Sequence, residues 1–169
     1  MRVLVAYGSK NGGTAGLAQM IGQELTASGF TAEVVPAAEV RGLDGYDAVV
    51  LAGALYAARW HRDARRFARR HATALRVRPL WLVSSGPIGP SADGPEPRPV
   101  RQVAALASSL GARGQVTFGG RLEAGAKGFV AGKMARKVAG DWRDPAKVHA
   151  WATGVTEELR RTHAPVPGP

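Results

Sequence analysis

The stretch that decides the fold spans residues 3–25 and reads VLVAYGSKNGGTAGLAQMIGQEL. Its first four residues form a short apolar run, which predicts a strand buried on both faces of a parallel sheet. Leu17, Ile21 and Leu25 recur at helical spacing, which predicts an amphipathic helix. Between them, two glycines allow successive backbone N–H groups to point into one concavity, flanked by hydroxyl side chains at a helix N-terminus. This order of elements predicts a phosphate-binding loop.

The loop lacks the signatures of two other kinds of phosphate site. It has neither the Lys-Ser/Thr ending of an ATP-binding P-loop nor the G-x-G-x-x-G of a dinucleotide fold. The run from Gly128 to Met134 imitates a P-loop, but its spacing is wrong and no hydroxyl follows Lys133. The pattern from Ser9 to Thr14, hydroxyl-x-x-Gly-x-Thr, resembles the FMN phosphate loop of flavodoxins. A glycine-rich turn without a ligand is the alternative.

Strands alternate with helices along the chain. Apolar runs predict strands at 3–6, 47–53 and 79–84, and two further strands are predicted at 31–35 and 116–122. Helices are predicted over 17–25, 61–75, 100–110, 126–139 and 145–162. The alternation predicts an α/β fold with a doubly wound five-stranded parallel sheet of order 2-1-3-4-5 and an inserted basic helix after strand five. The ligand is expected where the loops after strands one, three and four converge.

Composition narrows the class of protein. The 169 residues, 45% of them hydrophobic, are enough for one domain, expected over 1–162 with a flexible tail at 163–169. The absence of cysteine excludes disulfides, thiolate metal sites and thiol catalysis. The four histidines show no ligand spacing and no nucleophile elbow is visible, so the sequence predicts no metal and assigns no catalytic residue. Without a signal pattern or a membrane-spanning run, a cytoplasmic location is expected.

The net charge of +10 is the second informative feature. It favours binding to polyanions, to an anionic membrane surface or to acidic small molecules and partners. A general enrichment of the sequence in arginine and alanine explains the charge equally well. The helix over 61–75 carries a face that is either solvated or attracts anions, formed by Arg62, Arg65, Arg66, Arg69 and Arg70. Residues 127–138 fit either a helix covering the sheet edge or one that contacts the inner face of a membrane peripherally.

Nearly the whole chain resembles flavodoxin-like proteins, and most closely the branch of menaquinone-dependent protoporphyrinogen IX oxidases. The resemblance rests on residues 7–14, 46–56 and 67–75, and on a helix at 128–138 that is inserted after 119–122. It implies FMN as the cofactor, with its phosphate held by Ser9, Lys10, Asn11, Gly12, Gly13 and Thr14.

Two further loops complete the site that this resemblance implies. The loop after strand three would pass one face and the N5 edge of the flavin, through Ala54, Leu55, Tyr56, Ala57 and Trp60. Within it, Tyr56 and Trp60 offer planar faces for stacking. The loop after strand four would flank the pyrimidine end, through Ser84, Ser85, Gly86, Pro87, Ile88 and Gly89. This loop has no aromatic residue where many flavodoxins stack a tyrosine, so one flavin face is expected to be open.

The resemblance implies an FMN-dependent oxidoreductase that passes electrons from a reduced organic substrate, protoporphyrinogen-like, to a quinone or another acceptor. An electron-carrier flavodoxin that serves a partner redox enzyme is an alternative, but such carriers usually present an acidic rim and this chain is basic. A cofactor-free polyanion-binding domain on the same scaffold is a third hypothesis, although the sequence contains no groove-reading nucleic-acid motif.

Overall fold

The computed structural model describes residues 1–10, 12–56, 58–86, 99–122 and 140–163. The strands are, in chain order, β1 (Arg2–Gly8), β2 (Thr31–Pro36), β3 (Ala48–Tyr56), β4 (Arg59–Trp60), β5 (Leu80–Ser85), β6 (Gly114–Phe118), β7 (Arg121–Leu122) and β8 (Gly140–Asp141). The helices are α1 (Gly13–Ala27), α2 (Arg62–Arg70), α3 (Ala72–Arg76), α4 (Arg101–Leu110) and α5 (Pro145–His163). The helix expected over 126–139 and residues 164–169 of the expected tail lie outside the described residues.

The main sheet has the order β2-β1-β3-β5-β6, and these five strands are parallel. This confirms the predicted doubly wound topology, because β5 and β6 correspond to the predicted fourth and fifth strands. The short strand β4 was not predicted. It folds back antiparallel on the end of β3, where Leu55 pairs with Trp60 and Tyr56 pairs with Arg59. The loop after the third strand is therefore a tight hairpin, in which Ala58 has a φ of +58°.

Helices cover both faces of this sheet. Val3 and Val5 of β1 pack in the cluster that contains the buried side chains of α1 and α5, whereas Leu4 and Ala6 pack with those of α2 and α4. All four side chains are fully buried. Successive side chains of a strand point to opposite faces, so covering both faces requires the continuous apolar run seen in the sequence.

The single helix expected over 61–75 is two helices. His71, with φ −105° and ψ 17°, ends α2 and precedes α3. Its ring packs on the Phe67 ring at a centroid distance of 4.9 Å, and its Nε2 accepts a hydrogen bond from Arg70 Nε at 3.2 Å. This bend keeps both Phe67 and Leu75 fully buried. Helical periodicity alone does not reveal it, because the apolar spacing continues through the break.

The fifth strand of the sheet ends at Phe118, not at Leu122 as expected. At Gly119 a side chain would collide with the backbone of Trp142, so glycine permits the close approach that turns the chain out of the sheet. The last two residues of the expected strand form β7, which pairs antiparallel with β8. We call this pair the β7–β8 ribbon, and it brackets residues 123–139.

Candidate functional site

The carboxyl ends of β1 and β3 lie side by side where the strand order reverses. Gly8 and Gly53 are register partners at this point. A Cβ at Gly8 would lie 2.8 Å from the backbone N of Ala64 in α2, and a Cβ at Gly53 would lie 2.7 Å from the Trp60 ring. The two glycines therefore let α2 and Trp60 press directly on the strands. In open α/β sheets, ligands bind at such a switch point, at the carboxyl ends of the strands.

The loop after β1 enters α1 through a left-handed residue. Gly12 is the N-cap of α1 with a φ of +76°, and a Cβ placed there would meet nothing within 4 Å. Within the described part of the loop, no side chain caps the first turn, and that turn contains no acidic residue. The first N–H groups of a helix have no intrahelical partners and favour an anion. The residues present therefore fit a phosphate group.

The other predicted residues of this loop line its two sides. Ser9 is half-buried, Lys10 is exposed, and both Gly13 and Thr14 are buried. Asn11 lies outside the described residues. The structure thus places the predicted phosphate-binding residues that it describes at the start of α1, beside the switch point. Their contact with a cofactor remains a prediction.

The hairpin after β3 separates the two aromatic residues that the sequence grouped together. Ala54 is buried and Leu55 is partly buried, while Tyr56 is 40% exposed, with its ring centroid 6.2 Å from that of His61. Tyr56 is therefore the aromatic side chain of this hairpin with a surface open to a planar ligand. Ala57 lies outside the described residues.

Trp60 does not have the open face that stacking on a flavin requires, and that expectation is corrected. Its side chain is 2% exposed and packs against Gly53, and its indole N–H donates a hydrogen bond to Ser84 Oγ at 3.0 Å. The physical reason is the register of the hairpin, which places Trp60 opposite Leu55, on the face of β3 that α2 and α4 cover.

The loop after β5 begins at the same edge of the sheet. Ser84 and Ser85 are buried, and the N–H of Gly86 donates to the carbonyl of Phe118 at 2.9 Å. Gly86 has a φ of +128°, and a Cβ there would lie 3.5 Å from the Leu55 side chain. The ends of β3, β5 and β6 are thereby held together. The other predicted residues of this loop lie outside the described ones, namely Pro87, Ile88 and Gly89.

His61 is a residue of this edge that the sequence analysis missed. Its Nδ1 accepts a hydrogen bond from the N–H of Asp63 at 3.4 Å and would lie 3.1 Å from a Cβ at Gly8. Burial lowers the pKa of His61, Asp63 opposes that shift, and the positive charges of Arg62 and Lys10 add to it. The ring is therefore a neutral cap on α2 at neutral pH. In the sequence, Asp63 in the first turn of α2 was the feature that could have indicated this helix start.

Arg143 is a second missed residue, and the β7–β8 ribbon brings it to the start of α1. Its Nε donates to Asp141 Oδ1 at 2.8 Å, and its Nη1 lies 3.5 Å from the carbonyl oxygen of Gly13. Hydrogen bonding by Arg143 is the main reason that the pKa of Asp141 lies below its usual value, and the pKa of Arg143 is raised in return. No sequence pattern indicates this contact, because 130 positions separate Arg143 from Gly13.

The described residues contain neither a candidate metal cluster nor a candidate membrane-spanning helix. Among them, no group of three or more histidine, aspartate and glutamate residues could hold a metal ion. In the same ranges, no helix is both long and apolar enough to cross a membrane.

A family model described as a flavodoxin domain matches residues 4–142. No curated protein matches the chain. Among solved structures, a cysteine-to-serine mutant of flavodoxin from Pseudomonas aeruginosa is 16% identical with a TM-score of 0.64, covering 95% of this chain and 99% of that one. Oxidised flavodoxin 1 from Bacillus cereus is 12% identical with a TM-score of 0.61, and the match covers 94% of this chain and 99% of that one.

A larger protein contains the same fold as one part of its chain. Rubredoxin oxygen:oxidoreductase from Desulfovibrio gigas is 11% identical with a TM-score of 0.67, covering 97% of this chain and 37% of that one. At these identities the structural matches establish a shared fold, whereas the match over residues 4–142 concerns the sequence family itself.

Proposed function

The chain belongs to the flavodoxin domain family, and on that premise we propose that it is an FMN-dependent oxidoreductase. FMN is the cofactor of this domain, and when bound it supplies the capacity to accept electrons from one partner and deliver them to another. The observation that carries the proposal is the start of α1. It combines a left-handed glycine, an uncapped first turn without acidic residues, and open space above Gly12, all at the switch point of the sheet.

The proposed roles of the residues follow from their positions. The backbone N–H groups at the start of α1 and the hydroxyls of Ser9 and Thr14 would donate hydrogen bonds to the phosphate. Tyr56 would pack against one face of the ring system, because it is the exposed aromatic residue of the β3–β4 hairpin. The backbone at Gly86 would lie near the opposite, polar end of the ring.

We propose a reduced organic substrate that carries carboxylates, protoporphyrinogen-like, as the electron donor, and a quinone or similar acceptor. The support is the basic surface that begins beside Tyr56, where Arg59 and Arg62 are exposed. Arg59 pairs directly with Tyr56 across the hairpin, and Arg62 begins α2. Arginine binds carboxylates through paired hydrogen bonds, so this surface would attract such a substrate to the site.

An electron carrier is the second candidate, because two of the compared structures are flavodoxins that share nearly their entire length with this chain. In that role the same arginine surface would dock an acidic partner protein. Contact of residues 127–138 with an anionic membrane also remains a prediction, since this segment lies outside the described residues.

Flavin titration of the wild-type protein and two alanine variants tests the cofactor part of the proposal. Gly12→Ala forces a side chain onto a left-handed residue and into the space above the first turn, so we expect FMN affinity to fall about tenfold, equivalent to about 1.4 kcal/mol. Gly29→Ala is the matched control. Gly29 has a φ of +89° with nothing within 4 Å, but it follows the opposite end of α1.

Both variants should lose about 1–2 kcal/mol of folding free energy, because alanine is strained in the left-handed region. Only Gly12→Ala should weaken FMN binding, measured by quenching of flavin fluorescence. Equal FMN affinity in all three proteins would place the cofactor elsewhere, and no binding by the wild type would remove the flavin role.

Turnover distinguishes the two candidate functions. Under anaerobic conditions, the FMN-loaded protein is mixed with protoporphyrinogen IX and menadione, and porphyrin fluorescence is followed. Porphyrin formation that needs both FMN and menadione supports the oxidoreductase. Absence of turnover, together with rapid reduction of cytochrome c when NADPH and a flavodoxin reductase supply the electrons, would support the carrier instead.

A further inference from the structure

We propose that Arg143 is a positioning residue for the FMN phosphate: it fixes the backbone at the start of α1 and adds one positive charge there. This inference rests on the proposed binding of FMN. It concerns a side chain that lies far from the phosphate loop in sequence and outside every loop that the fold uses at its switch point.

The first support is the placement of the guanidinium. The Arg143 side chain is only 11% exposed, although arginine is usually a surface residue. Its Nη1 lies 3.5 Å from the carbonyl oxygen of Gly13, and a side chain at Gly16 would collide with the guanidinium. The group therefore occupies the space beside the first turn of α1 that a glycine leaves open.

The second support is that other contacts hold this placement. Asp141 accepts from Arg143 through both carboxylate oxygens and also accepts the backbone N–H of Arg143 at 3.1 Å. The N–H of Trp142 donates to the carbonyl of Gly120 at 2.9 Å, which joins the two sides of the β7–β8 ribbon. A Cβ at Gly13 would lie 2.9 Å from the carbonyl oxygen of Arg121, so β7 also packs on the loop. The ribbon thus carries Arg143 as a fixed group.

The third support is electrostatic. The N-terminus of a helix carries a partial positive charge, so a cation beside the first turn is unfavourable when no anion is present. Asp141 pairs with the guanidinium and favours its charged form, but the Asp141 side chain is 44% exposed whereas that of Arg143 is 11% exposed, so water weakens the field of the carboxylate more. A phosphate bound at Gly12 and Gly13 would turn the conflict into an attraction. The arrangement is therefore better suited to the loop with an anion than to the loop without one.

The test compares FMN with riboflavin, which has the same ring system without the phosphate. Arg143→Gln keeps a polar side chain but removes the charge, and we expect the dissociation constant for FMN to rise about tenfold while that for riboflavin changes less than twofold. The FMN affinity of the variant should also depend less on salt between about 50 and 500 mM, because one charge no longer attracts the phosphate. Arg143→Lys, which restores the charge without the paired hydrogen bonds, should recover part of the loss.

Arg113→Gln is the matched control, because it removes the same charge from a partly exposed arginine that pairs with Glu158 at 3.4 Å. Arg113 immediately precedes β6, at the opposite end of the sheet, so FMN affinity should not change. Urea unfolding of each protein without flavin reports whether the variant folds. If Arg143→Gln does not fold, Arg143→Lys is compared with the wild type instead. We then expect a smaller loss of affinity for FMN and no loss for riboflavin.

The outcomes separate the two proposals. A selective loss for FMN supports the role of Arg143. An equal loss for FMN and riboflavin, or no loss for either, would overturn it while leaving the FMN site in place. Binding of neither flavin by the wild type would overturn the proposed function, and the role of Arg143 with it.

Discussion

Replacing Trp60 by phenylalanine tests whether this side chain supports the core or touches the cofactor. The structure gives it a structural role, since the indole is 2% exposed, lies against Gly53 and donates to Ser84 Oγ at 3.0 Å. Phenylalanine keeps an aromatic ring, but it removes the N–H donor and part of the buried volume.

The expected loss has two parts. Loss of the donor leaves the buried Ser84 hydroxyl without its partner, which costs about 1–3 kcal/mol. The smaller ring leaves a cavity next to β3 that adds about 1 kcal/mol. The free energy of unfolding should therefore fall by about 2–4 kcal/mol. With a urea m-value of about 2 kcal/mol/M, the midpoint should decrease by about 1–2 M.

Urea unfolding followed by far-ultraviolet circular dichroism measures this shift. Ser84→Ala and the double variant complete a double-mutant cycle. The double variant should lose about 1 kcal/mol less stability than the sum of the two single variants, because both substitutions remove the same hydrogen bond. Folded Trp60→Phe should bind FMN within about twofold of the wild type. A tenfold loss of FMN affinity with unchanged stability would refute the burial of Trp60 and restore the stacking role predicted from the sequence.

Two further predictions concern stability. Gly53→Ala would place a methyl group 2.7–2.8 Å from the Trp60 ring, so the free energy of unfolding in urea should fall by about 1–3 kcal/mol. Gly154 in α5 has open space around it, so Gly154→Ala should raise the free energy of unfolding by about 0.5–1 kcal/mol. Burial and the charge of Arg70 lower the pKa of His71, so the unfolded chain binds more protons just below pH 6.5 and stability should decrease as pH falls from that value. His71→Gln should reduce this dependence between pH 8 and 5 and leave the part that comes from the lowered pKa of His61, and a variant with the same dependence as the wild type would contradict the assignment.

The sequence was sufficient for the order of the sheet because the determinants are local. The three central strands β1, β3 and β5 are short, mostly apolar runs that are almost entirely buried, so burial and propensity point to the same element there, whereas the edge strands β2 and β6 contain polar residues and are only partly buried. The alternation of strands and helices then restricts the connections to right-handed crossovers. The phosphate loop was also visible, since glycines and hydroxyls follow directly after β1.

The features that the sequence analysis missed depend on contacts between distant segments or on a change of direction within a few residues. Tyr56 and Trp60 look equivalent in the sequence, but the β3–β4 hairpin turns them to opposite faces, because Trp60 pairs with Leu55. His71 breaks a helix whose apolar spacing continues without interruption. Arg143 reaches α1 only because the ribbon returns the chain to the sheet edge, and no local pattern reports such a contact.

The β7–β8 ribbon joins the two ends of the segment between its strands. Leu122 and Gly140 are paired neighbours, so the two ends of the segment between them lie side by side. A two-residue turn can join such a pair, and the entropy cost of a longer connection grows only slowly with its length. We therefore expect changes in the length and composition of this segment to leave the order of the sheet and the place of Arg143 beside α1 unchanged.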